Sequence, residues 1–238
     1  MNIDVAKAFS FAVERVKANP LFYIVGGLIL FGINFIVSLF GNIFSFILTF
    51  ITNFVIRLLN LRGGVAEVIA NLSTSLAGMI IGFLLSFIVA PFFVGYFKGI
   101  KKECGGKNAD ITDIFSCMNN FIPIMLNYAL TVIIVSVGFL FCIIPYFLLL
   151  PMIPLTLFFL AQGETAGIES VKKSFETLKT NPVLILWTLL FMIFSGLGIL
   201  LCCVGVFITG PIAAISIYLV IAQATGLEES EQNSELSK

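Results

Sequence analysis

Histidine is missing from all 238 residues, tryptophan occurs once, and charge is scarce, with 13 basic and 13 acidic side chains that cancel. Without histidine the chain has no imidazole to take up protons near neutral pH or to ligate a metal, so the Ser-His and Cys-His pairings of covalent catalysis are excluded. The five cysteines, Cys104, Cys117, Cys142, Cys202 and Cys203, lack the paired four-ligand spacing of a zinc site. No catalytic, metal-ligating or cofactor-binding residue is therefore expected, and the chain reads as a non-enzyme. Zero net charge, with no basic tail and no basic-aromatic interleaving, argues against nucleic acid as a partner.

What fills the chain instead is apolar. Hydrophobic residues make up 59% and charged residues 11%, with a mean hydropathy of +1.11, against about 45–50% and about 25% in soluble domains. Charges are absent from Ala18 to Ile56, Val68 to Phe97, Ile114 to Gly163 and Thr180 to Leu227. A bilayer crossing takes about 20 apolar residues, and without alternating polarity the crossings must be helices, which pair their own backbone groups. Six crossings are expected: Leu21 to Phe40, Leu76 to Phe97, Phe121 to Leu140, Ile143 to Leu160, Val183 to Leu201 and Val204 to Gln223. The charged, patterned segment Met1 to Lys17 does not read as a cleavable signal peptide.

Ile43 to Leu61 is apolar enough to cross, but Asn42, Ser45, Thr49, Thr52 or Asn53, Arg57 and Asn60 give it one polar stripe. Such a stripe suits a helix at the interface, or one that extends a long first helix. The excess of Lys and Arg on cytoplasmic loops decides the count. Six crossings with a cytoplasmic N-terminus leave eleven basic residues inside and two, Arg57 and Arg62, outside; a seventh crossing turns this into five against eight. The expected location is the cytoplasmic (inner) membrane, with both termini cytoplasmic.

An internal repeat is legible. Pro91, Pro151 and Pro211 stand sixty residues apart, Gly138 matches Gly198, Cys142 matches Cys202 and Phe115 matches Phe175. Before each helix pair lies an amphipathic segment: Ala6, Phe9, Val13 and Val16; Ile111, Phe115 and Met118 behind an Asp110 N-cap; Ile168, Val171, Phe175 and Leu178. The expected fold is all-α, a polytopic membrane bundle of six helices in three hairpins, each preceded by a cytoplasmic-side interfacial helix. The repeats run over about 1–100, 108–162 and 163–224 in one membrane domain, 1–226, with a disordered acidic tail, 227–238. The first repeat carries about 42 extra residues, mostly Gly41 to Ser75, because its two prolines, Pro20 and Pro91, are 71 apart against 28 and 29 in the others.

"GETAGIESVKKSFETLKTNP", Gly163 to Pro182, and "GGKNADITDIF", Gly105 to Phe115, resemble segments of a broad group of bacterial multi-pass proteins. That group includes the membrane domain attached to some glycerophosphodiester phosphodiesterases. The resemblance implies a membrane module without the enzyme.

The candidate residues follow from these placements. Lys98, Lys101, Lys102, Lys107, Lys172, Lys173 and Lys179 stand where anionic lipid headgroups would lie, each worth about 1 kcal/mol near a charged leaflet; topology determination alone is the plainer reading of the same lysines. Gly78 with Gly82 and Gly95 with Gly99 have GxxxG spacing, and Gly196 and Gly198 add small faces, for a dimer contact or for packing inside the bundle. Asn19 with Pro20, Pro123, and Asn181 with Pro182 mark corners where a helix on the membrane turns into it. Cys142 and Cys202 are either a disulfide between hairpin tips or small fillers, and the mid-helix prolines either break helices around a site or kink them for packing. No Asp, Glu, Lys or Arg falls within the six crossings, which argues against an ion-coupled pump. The expected function is a lipid-interacting or membrane-organising scaffold, with the bilayer and its anionic lipids, a second copy or a membrane protein as partners. The alternative is a permease or channel for a neutral or amphiphilic solute.

Overall fold

In a computed structural model the described residues are 4–58, 64–141, 143–163, 168–198 and 205–226. They are helical almost throughout, with no strand among them. The acidic tail, Cys142, Cys202 and Cys203 lie outside them. Five helical stretches are long and apolar enough to cross a membrane, or six when one sharply bent pair is counted as a single span. By contact the chain divides into two compact units, residues 1–29 with 90–238, and residues 30–89.

In the first unit α1 (Val5–Ala18) starts on Asp4, whose side chain accepts the Lys7 N–H at 3.0 Å. It ends at Asn19, because Pro20 has no N–H to continue the ladder and disfavours helical geometry in the residue before it. A π-helical turn, Leu21–Val25, then leads into α2 (Gly26–Leu58). Further on, α8 (Glu169–Thr180) meets α9 (Val183–Leu197) at 108° across Asn181 and Pro182. The two corners share their backbone geometry. Asn19 has φ −129° and ψ 64° and Asn181 has φ −127° and ψ 72°, and each N–H returns to the carbonyl four residues back, Arg15 or Thr177.

The expected face of these short helices divides in two. Of that face Val16, Val171 and Leu178 are buried, Val13 is half-buried and Ala6 is exposed; the buried side of each helix is completed by Ala8 and Ala12 of α1 and by Ser170 and Ser174 of α8, which lay outside the expected face. Phe9, Ile168 and Phe175 remain exposed, at 37%, 48% and 52%. Thus α1 packs on α10 (Val206–Thr225), and α8 on α7 (Met152–Ala161) and α5 (Phe121–Phe141), with one apolar edge turned outward.

The middle copy differs from the expected amphipathic helix. Ile111–Phe115 and Met118–Asn120 are two 3-10 turns. Asp110 accepts the Ile111 N–H at 2.6 Å, and the Asp113 side chain reaches back to the Asp110 N–H at 3.0 Å, closing a capping box. Thr112, Ser116, Asn119 and Asn120 are weak helix formers. Only ten residues separate the cap from α5, so a 3-10 turn is the economical closure.

The mid-helix prolines are not equivalent either. Pro91 follows a 3-10 turn (Phe87–Val89) at the start of α4 (Ala90–Cys104), Pro151 separates α6 (Ile143–Leu149) from α7, and Pro211 sits inside an unbroken α10. Around them the core is filled by Phe22, Tyr23, Tyr96, Phe158 and Tyr218, none more than 4% exposed, with Leu155, Leu160 and Ile215. Phe22 stacks on Tyr96 at 5.3 Å, and Phe158 lies 4.9 Å from Tyr218.

In the second unit, the rest of α2 runs without a break through Ile43 as far as Leu58, so the polar-striped segment extends the first helix. It is followed by α3 (Gly64–Ser86) and the 3-10 turn. A Cβ placed on Gly41 would be 3.8 Å from Gly82 Cα, and one on Gly78 would be 2.5 Å from Ser45 Oγ. Matching 41 to 82 and 45 to 78 sets the two helices antiparallel.

Candidate functional site

At one end of the first unit the polar side chains converge on Glu103, 1% exposed in the last turn of α4. Its carboxylate accepts Asn19 Nδ2–H at 2.7 Å and the Ala109 N–H at 2.8 Å, with the Arg15 guanidinium 3.8 Å away. A buried carboxylate is tolerated only when hydrogen bonds and a countercharge replace its water, and here a helix corner, a turn and α1 supply them. Asn19 also caps the incoming membrane helix, its Oδ1 accepting the Phe22 N–H at 3.3 Å, while its Nδ2 donates to the Ala109 carbonyl at 3.1 Å. The corner is therefore bolted to the α4 terminus.

Two lysines complete this surface. Lys102 pairs with Asp113, and Lys101 donates to Gln162 Oε1, while Gln162 Nε2 donates to the Tyr218 hydroxyl at 3.2 Å. The Asp4 N–H donates to Gln223 Oε1 at 3.1 Å, tying α1 to the end of α10. Of the seven lysines singled out in the sequence, Lys101 and Lys102 are thus held by the protein itself. Lys107, Lys172, Lys173 and Lys179 are exposed and Lys98 is half-buried.

Comparison with protein-family models, with curated proteins and with solved structures finds no match.

A second polar feature runs through the interior where α5, α7 and α8 meet. Ser170 Oγ donates to Asn127 Oδ1 at 2.8 Å, the Ser174 and Thr156 hydroxyls are 3.1 Å apart, and those of Thr156 and Thr131 are 3.0 Å apart. All five residues are at most 2% exposed. Asn127 Nδ2 returns to the Pro123 carbonyl at 2.9 Å and Ser174 Oγ to the Ser170 carbonyl at 2.6 Å, so the seam is satisfied internally and positions α8. By contrast, the buried hydroxyls of Tyr23 and Thr188 find no partner among the described residues.

The glycines take up different roles. A Cβ on Gly95 would lie 2.1 Å from the Ile114 carbonyl oxygen, and one on Gly99 would lie 2.1 Å from Phe22 Cζ, so this GxxxG pair receives the 3-10 segment and an aromatic ring of the same chain. Gly78 admits Ser45, a Cβ on Gly82 or Gly196 would meet nothing within 4 Å, and Gly198 is buried where α9 ends. Of the corners, Pro20 and Pro182 open the helices that follow them and Pro123 is the third residue of α5. Asn181 does not cap as Asn19 does: its Nδ2 donates to Thr180 Oγ1 at 3.3 Å.

Sequence reasoning missed Glu103, Asp113 and the seam. The signal for the seam was present, since Asn127 with Thr131 and Ser170 with Ser174 are polar pairs four apart, which share one helix face. Glu103 carried no such mark, because its partners come from α1 and from the turn after α4.

Proposed function

We propose that the protein is a non-enzymatic, multi-pass protein of a cytoplasmic membrane that binds and organises anionic lipid at the inner leaflet. It is built as three helical hairpins, each introduced by an interfacial segment, with both termini cytoplasmic. The observation that carries the reading is the outer face of α8. Ile168 and Phe175 are exposed beside the exposed Lys172, Lys173 and Lys179, which is the arrangement of a helix that buries an apolar edge in the headgroup boundary while its cations meet phosphate. Phe9 on α1 and Phe115 with Met118 on the 3-10 segment are exposed as well, so all three introducing segments offer apolar side chains to the bilayer. The matched geometry at Asn19-Pro20 and Asn181-Pro182 supports a repeated unit, as does the resemblance to multi-pass membrane modules.

Core packing in the first unit weighs against a permease, since aromatic rings occupy the space between its helices. The test is reconstitution into vesicles of zwitterionic lipid doped with labelled phosphatidylglycerol, comparing the wild type with Lys172→Gln/Lys173→Gln/Lys179→Gln. Retained anionic lipid should fall several-fold, three headgroup contacts at about 1 kcal/mol each being at stake. Equal retention in the two proteins overturns the reading.

A further inference from the structure

Among its described residues the second unit exposes a broad apolar surface, and a polar groove runs beside it. Phe31, Phe35, Phe46 and Phe50 are 59%, 60%, 73% and 66% exposed, as suits contact with hydrocarbon. Between α2 and α3, however, lies a cleft of about 250 Å³ lined on α2 by Asn34, Ser38, Asn42 and Ser45 and on α3 by Gly78, Gly82 and Ser86. Asn34, Ser38 and Asn42 repeat every four residues and form one straight edge about 12 Å long at 1.5 Å per residue. All three are exposed, and their side chains make no hydrogen bond with another described residue.

Lipid tails cannot answer two carboxamides, so in a bilayer these groups are answered by another polar surface. The lining carries no charge, so no countercharge favours an ion or a charged headgroup as the complement. A carboxamide both donates and accepts, and so is its own complement. Two copies inserted in the same sense are related by a two-fold axis along the membrane normal, which sets α2 parallel to its counterpart and each asparagine opposite itself. At Gly82 an added Cβ would meet nothing within 4 Å, which leaves room beside that edge for a crossing helix.

Length adds an independent reason. The stretch Leu21–Ile56 is 36 residues, about 54 Å of helix, against a hydrocarbon core of about 30 Å. Even at a tilt of about 40°, the upper end of the usual range, only about 26 residues are accommodated. The rest carries Phe50 and Phe54 beyond the hydrocarbon, where two helices cannot cover each other on every side, whereas two such pairs together make a four-helix bundle.

We propose that the second unit is a homodimerisation module, in which two copies of this chain meet along the Asn34–Ser38–Asn42 edge with reciprocal amide hydrogen bonds. This goes beyond the lipid reading and stands apart from it, since it rests on other residues. The experiment is Förster transfer between full-length copies carrying donor or acceptor at the C-terminus, titrated by lipid dilution in zwitterionic vesicles. The wild type should transfer above a monomeric membrane-protein standard at high dilution. Asn34→Leu/Asn42→Leu should weaken association at least about tenfold, since intramembrane amide contacts are worth about 1–2 kcal/mol each in model helices. Neither side chain has a hydrogen-bond partner among the described residues, so this variant should keep the wild-type Trp187 emission, and Gly196→Leu, on open surface of the first unit, should associate like the wild type. Transfer in the wild type no higher than the standard, or undiminished in the double asparagine variant, overturns the proposal; in the first case the cleft is left to lipid or to a partner of different sequence.

Discussion

Replacing Glu103 tests whether the Asn19-Pro20 corner is held by a buried carboxylate. In Glu103→Ala the Ala109 N–H loses its acceptor in a buried position, and Asn19 Nδ2 keeps only the Ala109 carbonyl. Orphaning a buried donor costs about 1–3 kcal/mol, and a hydrogen bond to a charged group contributes about 1.5–3 kcal/mol. Arg15, whose side chain is 30% exposed, is 3.8 Å away and adds little once solvent screening is allowed for. The loss expected for Glu103→Ala is therefore about 3–5 kcal/mol, set by the two short bonds. Glu103→Gln keeps an acceptor oxygen in place and surrenders only charge assistance, so about 1 kcal/mol is expected. Trp187 is the single tryptophan, and its emission during denaturant unfolding in mild detergent reports both variants on one scale. Equal losses in the two variants, or a loss below about 0.5 kcal/mol in Glu103→Ala, would refute the reasoning, because neither fits an acceptor shared by two buried donors.

Other expectations follow from local geometry. Gly99→Ala, whose methyl would meet Phe22 Cζ at 2.1 Å, should destabilise by about 1–3 kcal/mol through overpacking, whereas Gly196→Ala, open on all sides, should be neutral or stabilising by up to about 1 kcal/mol; the same unfolding assay separates them. Thr156→Val, which takes one partner each from Thr131 and Ser174 while their hydroxyls keep the Asn127 and Ser170 carbonyls, should cost about 0.5–1.5 kcal/mol, while Thr188→Val, removing a hydroxyl with no partner among the described residues, should cost nothing or stabilise. A cysteine at position 62 should react with a membrane-impermeant maleimide in intact cells and one at position 107 only after lysis; the opposite pattern would invert the topology.

Elements set by local chemistry were legible in the sequence, and those set by distant contacts were not. Pro20 and Pro182 announce corners because a missing N–H acts on its own neighbours, and the structure has a helix end at each. The long apolar runs marked the helical stretches that are long and apolar enough to cross a membrane, since lipid-spanning backbone must be helical. The 3-10 form of the middle segment was hidden: Ile111, Phe115 and Met118 are spaced as in a helix, and what defeats it is a capping box whose Asp113 is also engaged by Lys102. The faces of α1 and α8 were half legible. Periodicity marks Val171 and Leu178 as apolar positions in company with Phe175, but cannot tell which edge meets α7 and which turns outward. The same limit hid Glu103, whose partners are 84 residues away at Asn19 and six away at Ala109. Lys101 and Lys102 looked like headgroup cations for the same reason, and their engagement by Gln162 and Asp113 depends on packing that no local pattern encodes.

Whether α8 lies in the membrane boundary is measured directly by nitroxide labels placed singly at 168, 173, 175 and 180 in vesicles. Labels at 168 and 175, on one edge of the helix, should be relaxed by oxygen at a depth of about 5–10 Å below the headgroups, and those at 173 and 180, more than about 100° round the helix from them, by a water-soluble nickel chelate. Chelate accessibility at all four positions would contradict the claim, because it would place the apolar edge of α8 in water, away from any lipid.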